Sequence, residues 1–254
     1  MNRTLTRMWW YLRALLPAIA LWQIIAMVTA NPVILPTPIV VGQSLAAMIG
    51  DGTLPDATGI SLRRLAIAYL LAVASCVPLG LLMGMSRTLR DVIDPVVEML
   101  RPISGIAWIP LALVLFGFGD TLVLFIIFYG AAFPILLNTI AGVREVDTNL
   151  VNSARTFGTP RLGLVTQVIL PGALPTIFVG LRLGLGTAWM SLVAAELIGA
   201  GSGLGYQLSF ARQMLMSAEM MAGIVVIGIL GALSSFLITG LQHVIAPWSA
   251  KEAA

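Results

Sequence analysis

Two ionisable side chains, Arg182 and Glu196, lie inside the apolar stretch 175–198. They are 14 residues apart, about 21 Å along a helix, so they cannot pair within one helix. A charge at membrane depth is costly and tends to face a bundle interior or water. Two readings follow: each snorkels to its own interface, Arg182 inward and Glu196 outward, or both border a translocation path. Arg182, Gly186, Trp189, Val193 and Glu196 share one helical face. Gly180, Gly184, Thr187, Ser191 and Ala195 form a second stripe, and Arg182 and Gly184 lie about 160° apart around the axis. Small residues four apart let helices approach closely in lipid, so one face is suited to packing and the other carries the polar groups. Trp108, beside Pro110 in a short and distorted apolar run, is a further candidate for the path.

Other chemistries find little support. Cys76 and His243 are single residues of their kind, too few for a His/Cys metal site, and Cys76 reads as a small buried hydrophobe. No nucleophile stands beside a base. The G-x-x-x-x-G-K-[ST] phosphate loop is absent, so any ATP that drives the protein must bind another subunit.

The elements that position these residues are membrane spans. The 254-residue chain is 59% hydrophobic and only 10% charged, with a mean hydropathy of +0.99. Soluble domains carry roughly 25% charged residues. Several runs approach the ~20 residues that cross a bilayer, and lipid obliges the backbone to satisfy itself inside each helix. The expectation is an all-α polytopic membrane protein, a single transmembrane domain over 1–254, with six transmembrane helices near 13–30, 62–85, 102–119, 121–142, 175–198 and 220–243. The first is expected to be retained rather than cleaved as a signal. With both termini cytoplasmic, the inner segments hold Arg3, Arg7, Arg13, Arg87, Arg90, Arg101, Arg144, Arg155, Arg161 and Lys251, against Arg63, Arg64 and Arg212 outside. That balance obeys the positive-inside rule, with Arg63 and Arg64 the exceptions. Asp120 and His243 fall near span ends, where they would meet water or headgroups. Clustered prolines keep 31–38 extended, a short surface helix is expected over 39–49, and the inner stretch 86–101 alternates its charges as a solvated helix does.

The segment 152–171, Asn152 to Pro171, is polar and punctuated between long apolar runs, inside an inner loop expected over 143–174. Gly158-Thr159-Pro160 breaks a helix there, and Leu170-Pro171 is expected to break it again. Two short helices meeting at a bend offer a grip to something outside the membrane. Ala154 and Gly158, four apart, would leave a flat patch for close approach.

This segment resembles the cytoplasmic loop of ABC importer permeases, whose signature reads E-A-A, three residues, G, nine residues, I-x-L-P. Ala154, Gly158, Leu170 and Pro171 match, Val168 takes the isoleucine place, and Asn152 and Ser153 replace the Glu and first Ala. Leu35-Pro-Thr-Pro38, Ser61-Leu-Arg-Arg64, Leu100-Arg-Pro102, Ala107-Trp-Ile-Pro110, Phe116-Gly-Phe-Gly119, Leu181-Arg-Leu-Gly184, Ala195-Glu196 and Gly203-Leu-Gly205 look like the nitrate/sulfonate/taurine branch. The resemblance implies a type I ABC importer permease fold in a bacterial inner membrane, without catalytic residues or a cofactor of its own. It implies a homodimer, two ATPase subunits that bind the ATP, and a periplasmic or lipid-anchored solute-binding protein that delivers a small anion such as taurine, a sulfonate or nitrate. Nucleic acid is not an expected partner. Asn152, Ser153, Ala154, Gly158, Leu170 and Pro171 would then dock the ATPase, while Arg182, Trp189, Glu196 and Trp108 remain the pathway candidates.

Overall fold

A computed structural model describes residues 2–29 and 31–248, with side chains from residue 16 onward. Every regular element among the described residues is helical. Helix α1 (Asn2–Thr29) is followed by a proline-rich turn and α2 (Pro38–Gly50). Thr37 starts α2 by accepting a bond from the Val40 amide, with Pro38 in the first turn where its missing N–H costs nothing. Then comes α3 (Thr53–Met85), whose 33 residues extend about 50 Å. Ser86 ends α3 in extended conformation and caps the amphipathic α4 (Arg87–Leu100) with its hydroxyl.

The stretch 102–119 does not form one straight span. It holds a 3-10 turn at Gly105–Trp108 and the eight-residue α5 (Ile109–Phe116), about 20 Å of helix against a ~30 Å hydrocarbon core. Pro102 and the extended Ser104 separate this piece from α4, and the two halves meet at 82°. Gly117 and Gly119, at φ 71° and 135°, then turn the chain into α6 (Asp120–Glu145). The chain continues through α7 (Thr148–Thr156), α8 (Arg161–Leu164), α9 (Leu170–Gly199), α10 (Leu204–Gln213) and α11 (Ser217–Ile245).

Among the described residues four units have the length and apolarity to cross a membrane: α3, α6, residues 161–199 and α11. The bent α4–α5 pair passes the same test when its halves are taken as one span. The described apolar part of α1 is Leu16–Thr29.

At the centre stands α6, with α9 along one side and α3 along the other. Small residues set the closeness. A Cβ on Gly180 would lie 2.6 Å from the Asn138 Cβ, and one on Gly184 would lie 2.7 Å from Ile135 Cγ1. Thr187 donates to the Gly130 carbonyl at 2.8 Å, and Gly199 admits the Leu122 side chain. Gly80 and Gly84 of α3 meet Thr139 and Val143 of α6 in the same way. The packing stripe read on α9 is thus its α6-facing side, and the buried core between them includes Ile126, Ile135 and Leu192.

The expected second break at Leu170-Pro171 is absent. Residues 165–169 form a π turn that runs straight into α9. Pro171 sits in the first turn of α9, and the wider turn before it accommodates a residue that cannot donate. The second of the two expected short helices is therefore the near end of the long α9 unit.

Candidate functional site

The α7 elbow is built from local capping. Asp147 opens α7 by accepting the Asn149 amide at 2.8 Å. At the other end the Gly158 amide bonds the Arg155 carbonyl and the Thr159 amide bonds the Ala154 carbonyl. This paired closure requires a left-handed residue, and Gly158 supplies it at φ 75°. Pro160, in extended conformation, then starts α8.

One face of α7 is fixed to the bundle. Val151 and Ala154 pack on a buried cluster of Val143 from α6, Leu164, Ile169, and Ala173 and Ile177 from α9, joined by Leu170. Where α6 meets α9 here, a Cβ on Gly142 would stand 2.9 Å from the Ala173 carbonyl oxygen. The opposite face is open. Asn152, Ser153 and Gly158 are exposed, and Leu150, Phe157 and Leu162 are 60%, 88% and 76% exposed. Ala154 is therefore not part of an open flat patch with Gly158. It faces inward, because α7 must bury one side to stay attached, and the exposed apolar groups are Leu150, Phe157 and Leu162. Their contribution was not apparent in the sequence, where isolated apolar residues in a polar loop carry no period.

The far end of the bundle holds the other polar feature. Glu196 is wholly buried, Arg64 is 3% exposed, and their charges meet at 2.8 Å. Arg64 also bonds Asp120 Oδ1, the Ser202 hydroxyl and the Ser202 carbonyl. Arg63 reaches Asp120 Oδ2 at 2.8 Å. Ser61 donates to the Glu196 carboxylate and accepts the Leu204 amide, while the Gly205 amide donates to Glu196 Oε2 at 2.9 Å. Gly203, at φ 105°, leaves room for that carboxylate: a Cβ there would lie 2.2 Å from Oε1. The cluster binds α3, α6 and α9 to the turn that leads into α10. Glu196 therefore does not snorkel: it is buried with Arg64 as its cationic partner. Asp120 is exposed, as expected at a span end, and also pairs with Arg63 and Arg64. Arg63 and Arg64, the exceptions to the charge rule, are the other half of this arrangement. Their partners are 56 to 138 residues away, beyond any local pattern.

The four pathway candidates have different partners. Trp189 is buried and donates to Ser234 Oγ of α11 at 2.9 Å, which makes it a packing group between α9 and α11. Arg182 is exposed and bonds the Gln242 side chain at 2.7 Å. Trp108 joins a row of rings, edge-on to Phe125 at 6.5 Å and tilted over Tyr129 at 5.6 Å. Its buried indole N–H has no hydrogen-bond partner among the described residues. Those residues also contain no group of three or more His, Cys, Asp or Glu side chains that could hold a metal.

A helical bundle with an elbow fixed to two of its spans matches a known pattern of sequence. Residues 76–251 match the family described as the binding-protein-dependent transport system inner membrane component. The chain belongs to that family. It is 37% identical over 232 residues to the taurine transport system permease protein TauC of Escherichia coli (strain K12), covering 89% of this chain and 84% of that one. It is 33% identical to the nitrate import permease protein NrtB of Synechococcus elongatus, over 75% of this chain and 69% of that one. In fold it is similar to a chain of the MetNI methionine ABC transporter in an inward-facing conformation. The TM-score is 0.60 at 20% identity, over 74% of this permease and 92% of that chain. The permease is a multi-pass membrane subunit of an ABC importer, of the nitrate/sulfonate/taurine branch, and not an enzyme.

Proposed function

We propose that this permease carries a small anionic solute, of the taurine, sulfonate or nitrate class, inward through the plasma membrane of a bacterium. A periplasmic or lipid-anchored binding protein delivers the solute, two copies of the permease enclose the path, and two ATPase subunits on the α7 side hold the ATP. The permease itself takes no cofactor, and both of its termini are cytoplasmic.

The observation that carries this reading is the α7 elbow, open on one face and fixed on the other. An ATPase subunit gripping Asn152, Ser153, Phe157 and Gly158 would bury apolar surface worth about 2–3 kcal/mol for the phenyl ring alone. Ala154, Leu170 and Pro171 serve the same coupling from behind, by seating α7 on α6 and α9. Because those two helices are closely packed along their length, a pull on α7 moves them together. Residues 173 and 196 are about 35 Å apart along α9, so the motion reaches the Glu196 cluster at the outer end. Arg182 is the exposed cation along α9, and the Trp108 indole N–H has no hydrogen-bond partner among the described residues; both stand as candidates for contact with the solute. Glu196 and Trp189 act on the path through packing.

Reconstitution of the permease with its ATPase subunit and binding protein in liposomes tests this. Labelled taurine, ethanesulfonate and nitrate are offered with and without internal ATP. ATP-dependent uptake of one of them, lost in Phe157→Ala and Gly158→Arg together with ATPase binding, is the expected result. Uptake that persists without the ATPase subunit overturns the reading.

A further inference from the structure

We propose that the groove between α4 and the last turns of α6 is a binding site for an oxoanion group. The groove encloses about 230 Å³ and is bordered by Arg90, Asp94, Glu98 and Arg101, with Arg144 opposite. Three guanidinium groups against two carboxylates leave it with one net positive charge (+3 − 2 = +1). The ion pairs among the described residues join Arg63 and Arg64 to Asp120 and Glu196, at the other end of the bundle. None of the five groove side chains takes part in one. On α4, Arg90 and Asp94 are four apart and Glu98 and Arg101 three apart, spacings within reach of an ion pair, yet neither pair closes. Arg90 and Asp94 are also half-buried, so the arginine is not spread into bulk water.

Three unpaired guanidinium groups around one small cavity fit a ligand with several acceptor oxygens, since each planar fork can bond two of them. The remaining wall is apolar, with Val97 below and Leu137, Ile140 and Ala141 along α6. The site therefore suits an oxoanion carrying a short apolar body, as in an alkanesulfonate or the phosphate and glycerol of a phospholipid headgroup. Arg144 lies in the last turn of α6, three residues before the Asp147 cap of α7. An anion held there ties α4 to the helix end that carries the elbow. The site stands on its own charges and does not depend on what the permease transports.

The test uses the full-length permease in neutral detergent. Calorimetric titration with ethanesulfonate and with inorganic phosphate addresses the free anion. Native mass spectrometry with phosphatidylglycerol against phosphatidylcholine addresses the lipid. Arg90→Gln with Arg144→Gln is expected to weaken binding at least tenfold, the loss of charge-assisted hydrogen bonds. Asp94→Asn, which removes an opposing charge from the same wall, is expected to tighten it severalfold. A small anion that shows this pattern identifies a free-anion site. The same pattern with phosphatidylglycerol alone identifies a headgroup site. The proposal is overturned if no probe depends on the arginines, or if Asp94→Asn weakens binding as the arginine variants do. The second result would mean that the substitutions act by disturbing the fold.

Discussion

Replacing Glu196 by alanine is the most demanding test of how the bundle is held at the end far from α7. The carboxylate is wholly buried and accepts from Arg64, Ser61 and the Gly205 amide. Breaking a buried ion pair by removing one partner costs about 3–5 kcal/mol. Arg64 keeps Asp120 and Ser202, which places the expected loss near the lower figure. About 3 kcal/mol corresponds to more than a hundredfold in an opening equilibrium. Hydrogen exchange on the solubilised permease should therefore show the Gly205 and Leu204 amides released by about that factor, together with a lower thermal midpoint. Glu196→Gln should fall between wild type and alanine. Its single oxygen can serve Arg64 or the Gly205 amide, and its NH2 then confronts the other donor. Arg64→Met combined with Glu196→Met should recover part of the loss, since no buried charge is left alone. If exchange at 203–205 and the midpoint stay unchanged in Glu196→Ala, the cluster does not hold the α9–α10 turn and the reasoning fails.

Other outcomes follow from backbone and packing. Gly158→Ala should destabilise the elbow by about 1 kcal/mol, because the position is left-handed while open space surrounds it; limited proteolysis at 155–160 reports it. Leu215 closes α10 at φ 57° and is 74% exposed, so Leu215→Gly should stabilise the protein by about 1 kcal/mol, seen as a raised thermal midpoint. Gly130→Ala would bring a Cβ to 2.2 Å from Ser191 Oγ and should cost about 1–3 kcal/mol by forcing α6 from α9. Adding Ser191→Gly should restore most of it, and failure of that rescue would refute the direct clash.

Much of this was legible in the residues themselves. The apolar runs fixed the helical class, because lipid admits few other backbones. The small-residue stripe on α9 marked its partner-facing side, since close approach needs missing side chains whatever the partner is. Gly158 and Pro160 marked the elbow, as both act through their own backbone angles. The sequence by itself therefore determined the helical class, the spans at α3, α6, α9 and α11, the break at Gly158-Thr159-Pro160 and the family, all properties of single segments or of local spacing.

Tertiary structure alone decided what the charges are for. Glu196 read as a group that snorkels or borders a path, and it is buried against Arg64 from 132 residues away. Trp189 read with it on one polar face, yet it serves as packing against Ser234. Ala154 read as an open patch and turns inward, while Pro171 is absorbed by a π turn instead of ending a helix. In each case the outcome depends on which distant group arrives at the residue. Helical periodicity gives the face a side chain occupies but never its neighbour across the interface, and in a low-dielectric interior that neighbour decides whether a charge is stable.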